Sequence, residues 1–264
     1  MIKILAIGDT YGEPGRKAIE LFVPAMKKNG EADFVLCNAE NSAAGAGITE
    51  TIAKELFQNG CDVLTGGDHI FDRKKEIEEF LKKDPRLVRP ANFPKGAPGA
   101  GSTVVEVKGV KVGVIHVAGQ VFMRYHLGHP FLTADEEIEK VKKAGAQVIL
   151  VDVHAEATSE KVALSWYLDG RVSAVVGTHT HIQTADERVT AKGTACITDL
   201  GMTGPYDSVI GAEKEPIIQR FLTQIGTRKE VAKGDVRLCG ALITVDEHTG
   251  RALSIERVQK KVSS

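Results

Sequence analysis

Short apolar runs alternate along the chain with segments in which apolar residues recur every three or four positions. The runs predict buried β-strands and the periodic segments predict amphipathic helices, an alternation that is typical of α/β proteins. The predicted strands are residues 3–8, 34–39, 63–66, 148–153 and 174–177. The predicted helices are residues 15–26, with a break or kink near Pro24, and residues 49–59, 74–83, 133–144 and 159–168.

Several predicted helices carry residues suited to their ends. Thr49 and Thr133 are candidate N-caps, and Glu136 follows Thr133 by three positions, as in a capping box. Gly60 and Gly145 follow the ends of two helices, where a residue with positive φ is favoured.

Two regions depart from the alternation and predict β-hairpins. Strands 102–107 and 111–117 flank Lys108-Gly109, and strands 236–245 and 252–258 flank the turn 246–251. Residues 191–199 add a further strand, whereas 89–101 and 206–216 are predicted loops. We therefore expect two packed sheets with helices outside them, in a single domain over residues 1–264.

Composition narrows the functional classes. The 264 residues include 34 Lys+Arg and 35 Asp+Glu, a net charge of -1, which argues against bulk nucleic-acid binding driven by charge. Aromatic residues make up only 5%, too few for a broad stacking platform. No segment is apolar for long enough to span a membrane, and the four Cys form no CxxC pair. We expect a cytoplasmic protein that does not bind membranes.

Candidate metal ligands follow five of the predicted strands. In an open α/β sheet, ligands bind outside the carboxyl ends of the strands, so these side chains are expected to converge. Oxygen and imidazole ligands without thiolate suit Fe, Mn, Co or Zn. The residues at these strand ends are Asp9, Glu40, Asn41, Asp68, His69, His154, His179 and His181.

Each of these residues taken alone has a structural explanation. Asp9 could cap a helix, Asn41 could form a turn, and a single His at a strand end is usually a hydrogen-bonded residue. Their occurrence at five strand ends favours a metal site instead. His179 and His181 are two positions apart, so in an extended chain both side chains would point the same way.

The same residues lie in motifs that resemble the metallophosphoesterase superfamily, whose motif series is D-x-H, GD, GNH, H and GHxH. The sequence is most similar to the YmdB-like branch. That branch lacks the His of the first motif, where Tyr11 stands here, and has Glu-Asn in the second, matched by Glu40-Asn41. The matching segments are IGDTYGEPGRKA, AENSAAGAGIT, GTHTHIQTAD and TDLGMTGPYDSVIG.

This resemblance implies a four-layer α/β/β/α sandwich of two mixed sheets flanked by helices. It also implies a phosphodiesterase with two metal ions per subunit, iron foremost, with manganese or another divalent transition metal as alternatives. The implied substrates are small phosphodiesters, 2',3'-cyclic nucleotides first, attacked by a hydroxide that bridges the metals while His69 acts as general acid. Asp9, Asn41 and His181 would hold one metal and Asp68, His154 and His179 the other, with Glu40 bridging.

The sequence departs from the family pattern at two places. The third motif has Asp68 where Asn is usual. The extra negative charge either weakens attraction for phosphate or suits a trivalent ion, unless the carboxylate simply replaces the amide without consequence. His126 and His129 form a second departure: they are either exposed loop residues or contacts to substrate.

Two other functions stay open at this point. A phosphomonoesterase could use the same ligands, and a regulatory metal- or nucleotide-binding protein could act on an RNA-processing partner. The resemblance also leads us to expect a homo-oligomer.

Overall fold

The strands form two mixed sheets in the computed structural model, which describes residues 1–263. The first sheet has the order Asp9–Thr10 (β2), Met202–Pro205 (β12), Val236–Val245 (β13), Ile2–Ile7 (β1), Phe34–Asn38 (β3), Val63–Thr65 (β4) and Leu87–Val88 (β5), and Ala252–Lys261 (β14) pairs with β13. The second has the order Arg188–Val189 (β10), Ala195–Ile197 (β11), Ala174–Thr178 (β9), Val148–His154 (β8), Val110–Ala118 (β7) and Ser102–Val107 (β6).

Three apolar clusters define four layers. Ile4 and Leu36 of the first sheet meet Val114 and Leu150 of the second in one cluster between the sheets. A second cluster packs three helices on the outer face of the first sheet, and a third packs two helices on the second sheet. The helices are Gly12–Lys28 (α1), Glu50–Gln58 (α2), Lys74–Lys83 (α3), Pro130–Lys143 (α4), Thr158–Tyr167 (α5) and Lys214–Thr223 (α6). The expected α/β/β/α sandwich is therefore confirmed.

The predicted helices are present, with two differences. Helix α1 continues through Pro24 to Lys28, so the expected break there is wrong. Helix α4 begins at Pro130 rather than near Thr133, which makes the predicted Thr133 cap wrong. Proline suits the first helical position because its φ is already helical and its missing N–H would have no partner there. His129 takes the N-cap position instead.

The other predicted caps and turns are present in the structure, because they depend on interactions between residues close in sequence. Thr49 accepts a hydrogen bond from the Ile52 N–H and so caps α2 as predicted. Gly60 and Gly145 have φ of 98° and 90°, the left-handed conformation expected after a helix. Lys108 and Gly109 also have positive φ, which closes the first predicted hairpin tightly.

Helix α6 and several short strands were not predicted. Helix α6 begins inside the predicted loop 206–216, and it buries only one side chain, that of Ile217. A helix with so small a buried face gives little apolar periodicity. Within the described chain, no helix is long and apolar enough to cross a membrane.

The topology places the candidate chemistry at one edge of the sandwich. Strands β1, β3 and β4 run parallel in the first sheet, and β8 and β9 run parallel in the second. Their carboxyl ends lie together, so the loops that follow them can share one site.

The core between the sheets should dominate stability. Replacing Leu150, which is 1% exposed in β8, by Ala should lower the free energy of unfolding by about 2–5 kcal/mol, because it removes apolar contacts and leaves a cavity. The matched control is Leu132→Ala in α4, where the side chain is 60% exposed. Urea unfolding of both variants measures the difference, and equal losses would contradict the account.

Candidate functional site

Buried carboxylates and imidazoles converge at the shared edge of the two sheets. Two groups of residues each bring their ligand atoms within 4.8 Å of one another, and Glu40 belongs to both. The first group is Glu40, Asp68, His154 and His179, and the second is Asp9, Glu40 and His181. Glu40 therefore lies where the two groups meet.

His154 is the centre of the first group. Its Nε2 atom lies 3.0 Å from Glu40 Oε2 and 3.1 Å from Asp68 Oδ1. The Nδ1 atom of His179 is also 3.1 Å from that same nitrogen. Two carboxylate oxygens and two ring nitrogens therefore surround one small volume.

The second group includes Asn41, which follows β3 directly. The Asn41 amide donates to Glu40 Oε1 at 2.8 Å and to His181 Nε2 at 3.1 Å. Asp9 is fully buried and accepts the backbone N–H of His179 at 3.1 Å. The structure thus brings Asp9, Asn41 and His181 together on the other side of Glu40.

Each of the three histidines is held by one ring nitrogen, which leaves the other toward the carboxylates. His154 Nδ1 donates to Thr178 Oγ1 at 2.9 Å, and His181 Nδ1 donates to the Ile210 carbonyl at 3.0 Å. His179 Nε2 lies 3.2 Å from Glu156 Oε2. Partners of this kind fix the orientation and tautomer of metal-binding histidines.

The loop that carries His179 and His181 is not extended, so the backbone conformation assumed for these two residues in the sequence analysis is absent, although both side chains line the same cavity. The two residues have φ of 103° and 66°, values that non-glycine residues rarely adopt. Their rings consequently reach different groups. Backbone strain of this kind concentrates at functional sites, where the surrounding structure must enforce it.

A buried ion pair holds this loop in place. Asp199 accepts hydrogen bonds from the Thr180 backbone N–H at 3.1 Å and hydroxyl at 2.7 Å. Lys161 Nζ lies 2.8 Å from the same carboxylate and also donates to the Thr178 carbonyl. Sequence reasoning missed both residues, although a Lys in the buried stripe of a helix was a usable signal.

Asp152 contacts the residues that orient His154, and the sequence analysis did not identify it. It accepts a hydrogen bond from Thr178 Oγ1 at 2.7 Å, and this directs the Thr178 hydroxyl to accept from His154. The backbone carbonyl of Asp152 lies 3.1 Å from Nδ1 of His116. A carboxylate inside the apolar strand β8, two positions before His154 and on the same side, was the available signal.

Position 67 requires glycine because its backbone passes very close to the Glu40 carboxylate. Its φ is 52°, and a Cβ atom there would lie 1.8 Å from Glu40 Oε2. The Gly67 N–H donates to Nε2 of His116 at 3.0 Å, so His116 has a structural role in ordering the turn before Asp68. Burial lowers the pKa of His116, which keeps this nitrogen available as an acceptor.

Burial and close mutual contact shift the pKa values of the carboxylates and imidazoles in the cluster. Burial, together with the Glu40 charge, raises the pKa of Asp9 well above its ordinary value. Burial would also raise the pKa of Glu40, but the facing imidazoles, His154 foremost, lower it below its ordinary value. Burial and the neighbouring His154 lower the pKa of His179 to about 4. Burial would lower the pKa of His154, but the facing carboxylates, Glu40 foremost, raise it well above its ordinary value. Binding a metal would require the neutral imidazole and the ionised carboxylates, so it would displace protons from this cluster.

This donor set fits metal ions. The described residues contribute carboxylate oxygens, an amide and imidazole nitrogens, all buried except the partly exposed His179, and no thiolate lies among them. Transition metals such as iron, manganese and zinc accept such ligands. The arrangement could bind divalent cations on both sides of Glu40.

His69 lies at the rim of the cluster and is partly exposed. Its Nδ1 atom is 2.7 Å from Asp72 Oδ2, and Arg124 Nη1 is 2.7 Å from the other oxygen of Asp72. The His69 backbone N–H also points to Glu40 Oε2 at 3.3 Å. Asp72 therefore orients the ring and leaves Nε2 free to exchange a proton.

A cavity of about 830 Å³ opens above the cluster, a volume suited to a small ligand. Glu40, Asn41, His69, His179 and His181 all line it. Tyr11 forms part of the wall, with its ring 5.7 Å from that of His181. His126 and His129 are both exposed and are not among the residues that line this cavity.

Comparison with known proteins agrees with this geometry. The chain is 50% identical over 257 residues to the 2',3'-cyclic-nucleotide 2'-phosphodiesterase of Bacillus subtilis, covering 97% of this chain and 96% of the relative. A hypothetical protein from Thermus thermophilus superposes with a TM-score of 0.92 at 40% identity, covering 98% of this chain and 99% of the other. A crystal structure described as a novel phosphatase of Mycoplasma pneumoniae gives 0.91 at 34% identity, covering 98% and 93%.

These similarities extend over nearly the whole chain, including every strand end that contributes to the cluster. The family model described as "YmdB-like protein" matches residues 5–258. The protein belongs to the YmdB-like family.

Proposed function

We propose that this protein is a metal-dependent phosphodiesterase that opens 2',3'-cyclic nucleotides. The observation that carries the proposal is the set of three histidines, each held by one ring nitrogen, whose other nitrogens converge with buried carboxylates on the floor of a cavity. The activity for which the Bacillus subtilis relative is named supports the choice of substrate.

In this proposal the site would hold two metal ions per chain. Asp9, Asn41 and His181 would hold one ion, Asp68, His154 and His179 would hold the other, and Glu40 belongs to both groups of ligands. Iron is the first choice and manganese or another divalent transition metal the alternative, since these ligands accept several metals. When bound, the ions neutralise phosphate charge and activate water for attack.

His69 is proposed as the general acid. Opening the cyclic ester expels a ribose oxygen, which is a poor leaving group unless it is protonated. The Asp72 carboxylate accepts a hydrogen bond from Nδ1 and fixes the orientation of the ring, so the proton given to the leaving oxygen is the one on Nε2. Arg124 fixes Asp72 in turn, which makes Asp72 and Arg124 positioning residues.

A phosphomonoesterase is the second candidate, and the description of the similar Mycoplasma pneumoniae protein as a phosphatase supports it. The metal ligands would be the same for both reactions, because ions that bind a phosphate diester also bind a monoester. The two reactions would differ in how the substrate fits the cavity and in whether His69 protonates the leaving oxygen, and a comparison of substrates distinguishes them.

A substrate panel tests the proposed function. The metal-loaded protein should hydrolyse adenosine 2',3'-cyclic phosphate faster than adenosine 3',5'-cyclic phosphate and adenosine 3'-monophosphate, and stripping with a chelator should abolish turnover. Initial rates of product formation measure this order. Activity on the monoester alone would establish the second candidate and reject the first.

The role of His69 can be tested through the leaving group. His69→Gln should lower kcat for adenosine 2',3'-cyclic phosphate about 100- to 10,000-fold, because no acid then protonates the ribose oxygen. Bis-p-nitrophenyl phosphate releases a stable phenolate without protonation, so its rate should fall far less.

Two controls accompany that experiment. Asp72→Asn should give a smaller loss with the same dependence on the leaving group, and the metal content of both variants should match that of the wild type. Equal losses on the two substrates would contradict the assignment of His69 as the acid.

A further inference from the structure

Helix α6 presents one face to the cavity above the metal-ligand cluster. Ile217, Arg220, Phe221 and Gln224 all line the cavity, and their spacing of three, one and three positions puts them on one side of the helix. Lys229, from the segment after the helix, lines the same wall. None of these residues contributes to the metal-ligand groups.

Two cations on this wall have no acidic partner. Within residues 1–263, neither Arg220 nor Lys229 lies within 4.0 Å of a carboxylate oxygen, whereas Lys214 and Arg228 nearby both do. Arg220 is therefore available to an anionic ligand, and its guanidinium suits phosphate oxygens. Charge complementarity on this wall of the cavity favours a phosphate group of the ligand, whereas the carboxylates that line the cavity, Glu40 and Glu156, lie at the metal-ligand cluster.

Phe221 adds an apolar surface beside these cations. Its side chain is 73% exposed, and among the described residues it makes no aromatic pair. An exposed aromatic ring next to free cations at the edge of a cavity has the features of a base-stacking site, because bases offer a planar face to aromatic side chains. The adjacent Leu222 is equally exposed but does not line the cavity.

We infer that the cavity face of α6 recognises the base and the phosphate of the nucleotide substrate, with Phe221 stacked on the base and Arg220 bound to a phosphate oxygen. This inference rests on the proposed function, because it names residues that would bind the base and phosphate of the proposed nucleotide substrate. Stacking does not distinguish between hydrogen-bonding edges, so the enzyme should accept all four bases and bind purines more tightly than pyrimidines.

The test compares two cyclic phosphodiesters, adenosine 2',3'-cyclic phosphate and the base-free glycerol 1,2-cyclic phosphate. Phe221→Ala should raise KM for the adenosine substrate roughly 5- to 100-fold through loss of stacking, with less than a twofold change for the glycerol substrate. Phe221→Trp should restore the adenosine KM, and Leu222→Ala is the matched control that should change neither. Arg220→Gln should raise KM about tenfold for both substrates, since both carry the phosphate.

Equal effects of Phe221→Ala on the two substrates, or no effect on either, would overturn the inference. Failure of the proposed function is separately visible, because the wild type would then hydrolyse neither cyclic phosphate. In that case calorimetric binding of adenosine 3'-monophosphate to the metal-loaded protein replaces KM. Phe221→Ala must weaken this binding while leaving that of glycerol phosphate intact, and unchanged adenosine affinity would again overturn the inference.

Discussion

Three carboxylates buried within one small volume are the constraint on which the rest of this structure depends. Asp9, Glu40 and Asp68 lie at strand ends with almost no exposure to water, and burying like charges together is costly unless cations or donors compensate. Their pKa values move in opposite directions, upward for Asp9 and downward for Glu40 and Asp68, because His154 faces Glu40 and Asp68 most directly. Metal ions on both sides of Glu40 would remove this conflict.

The surrounding fold enforces the crowded arrangement. Gly67 leaves room for the Glu40 carboxylate, which a Cβ atom at this position would contact. Asp152 accepts a hydrogen bond from the Thr178 hydroxyl, which in turn orients His154. The Lys161–Asp199 ion pair holds the strained loop of His179 and His181. Removing Lys161 or Asp199 would leave the other residue buried with an uncompensated charge. The loop that carries His179 and His181 therefore depends on both members of the pair.

The clustering of the candidate residues could be predicted from the sequence more completely than some of the elements around them. Parallel strands deliver their carboxyl ends to one edge, so residues that directly follow apolar runs, such as Asp9 and His154, could be located from the pattern alone. The conformation of His179 and His181 could not, because positive φ is imposed by partners as distant in sequence as Asp9. Helix α6 was missed because most of its apolar side chains face water or the cavity, and Asp152 was missed because its role depends on another strand.

Anomalous X-ray diffraction from crystals of the protein purified with its metals tests whether the cluster around Glu40 holds two metal ions. We expect two anomalous peaks, one on each side of the Glu40 carboxylate, with Asp9, Asn41 and His181 around one and Asp68, His154 and His179 around the other. Glu40→Gln should weaken both peaks, whereas Glu106→Gln, at an exposed position on β6, should leave them unchanged. A single peak, or peaks away from Glu40, would contradict the account.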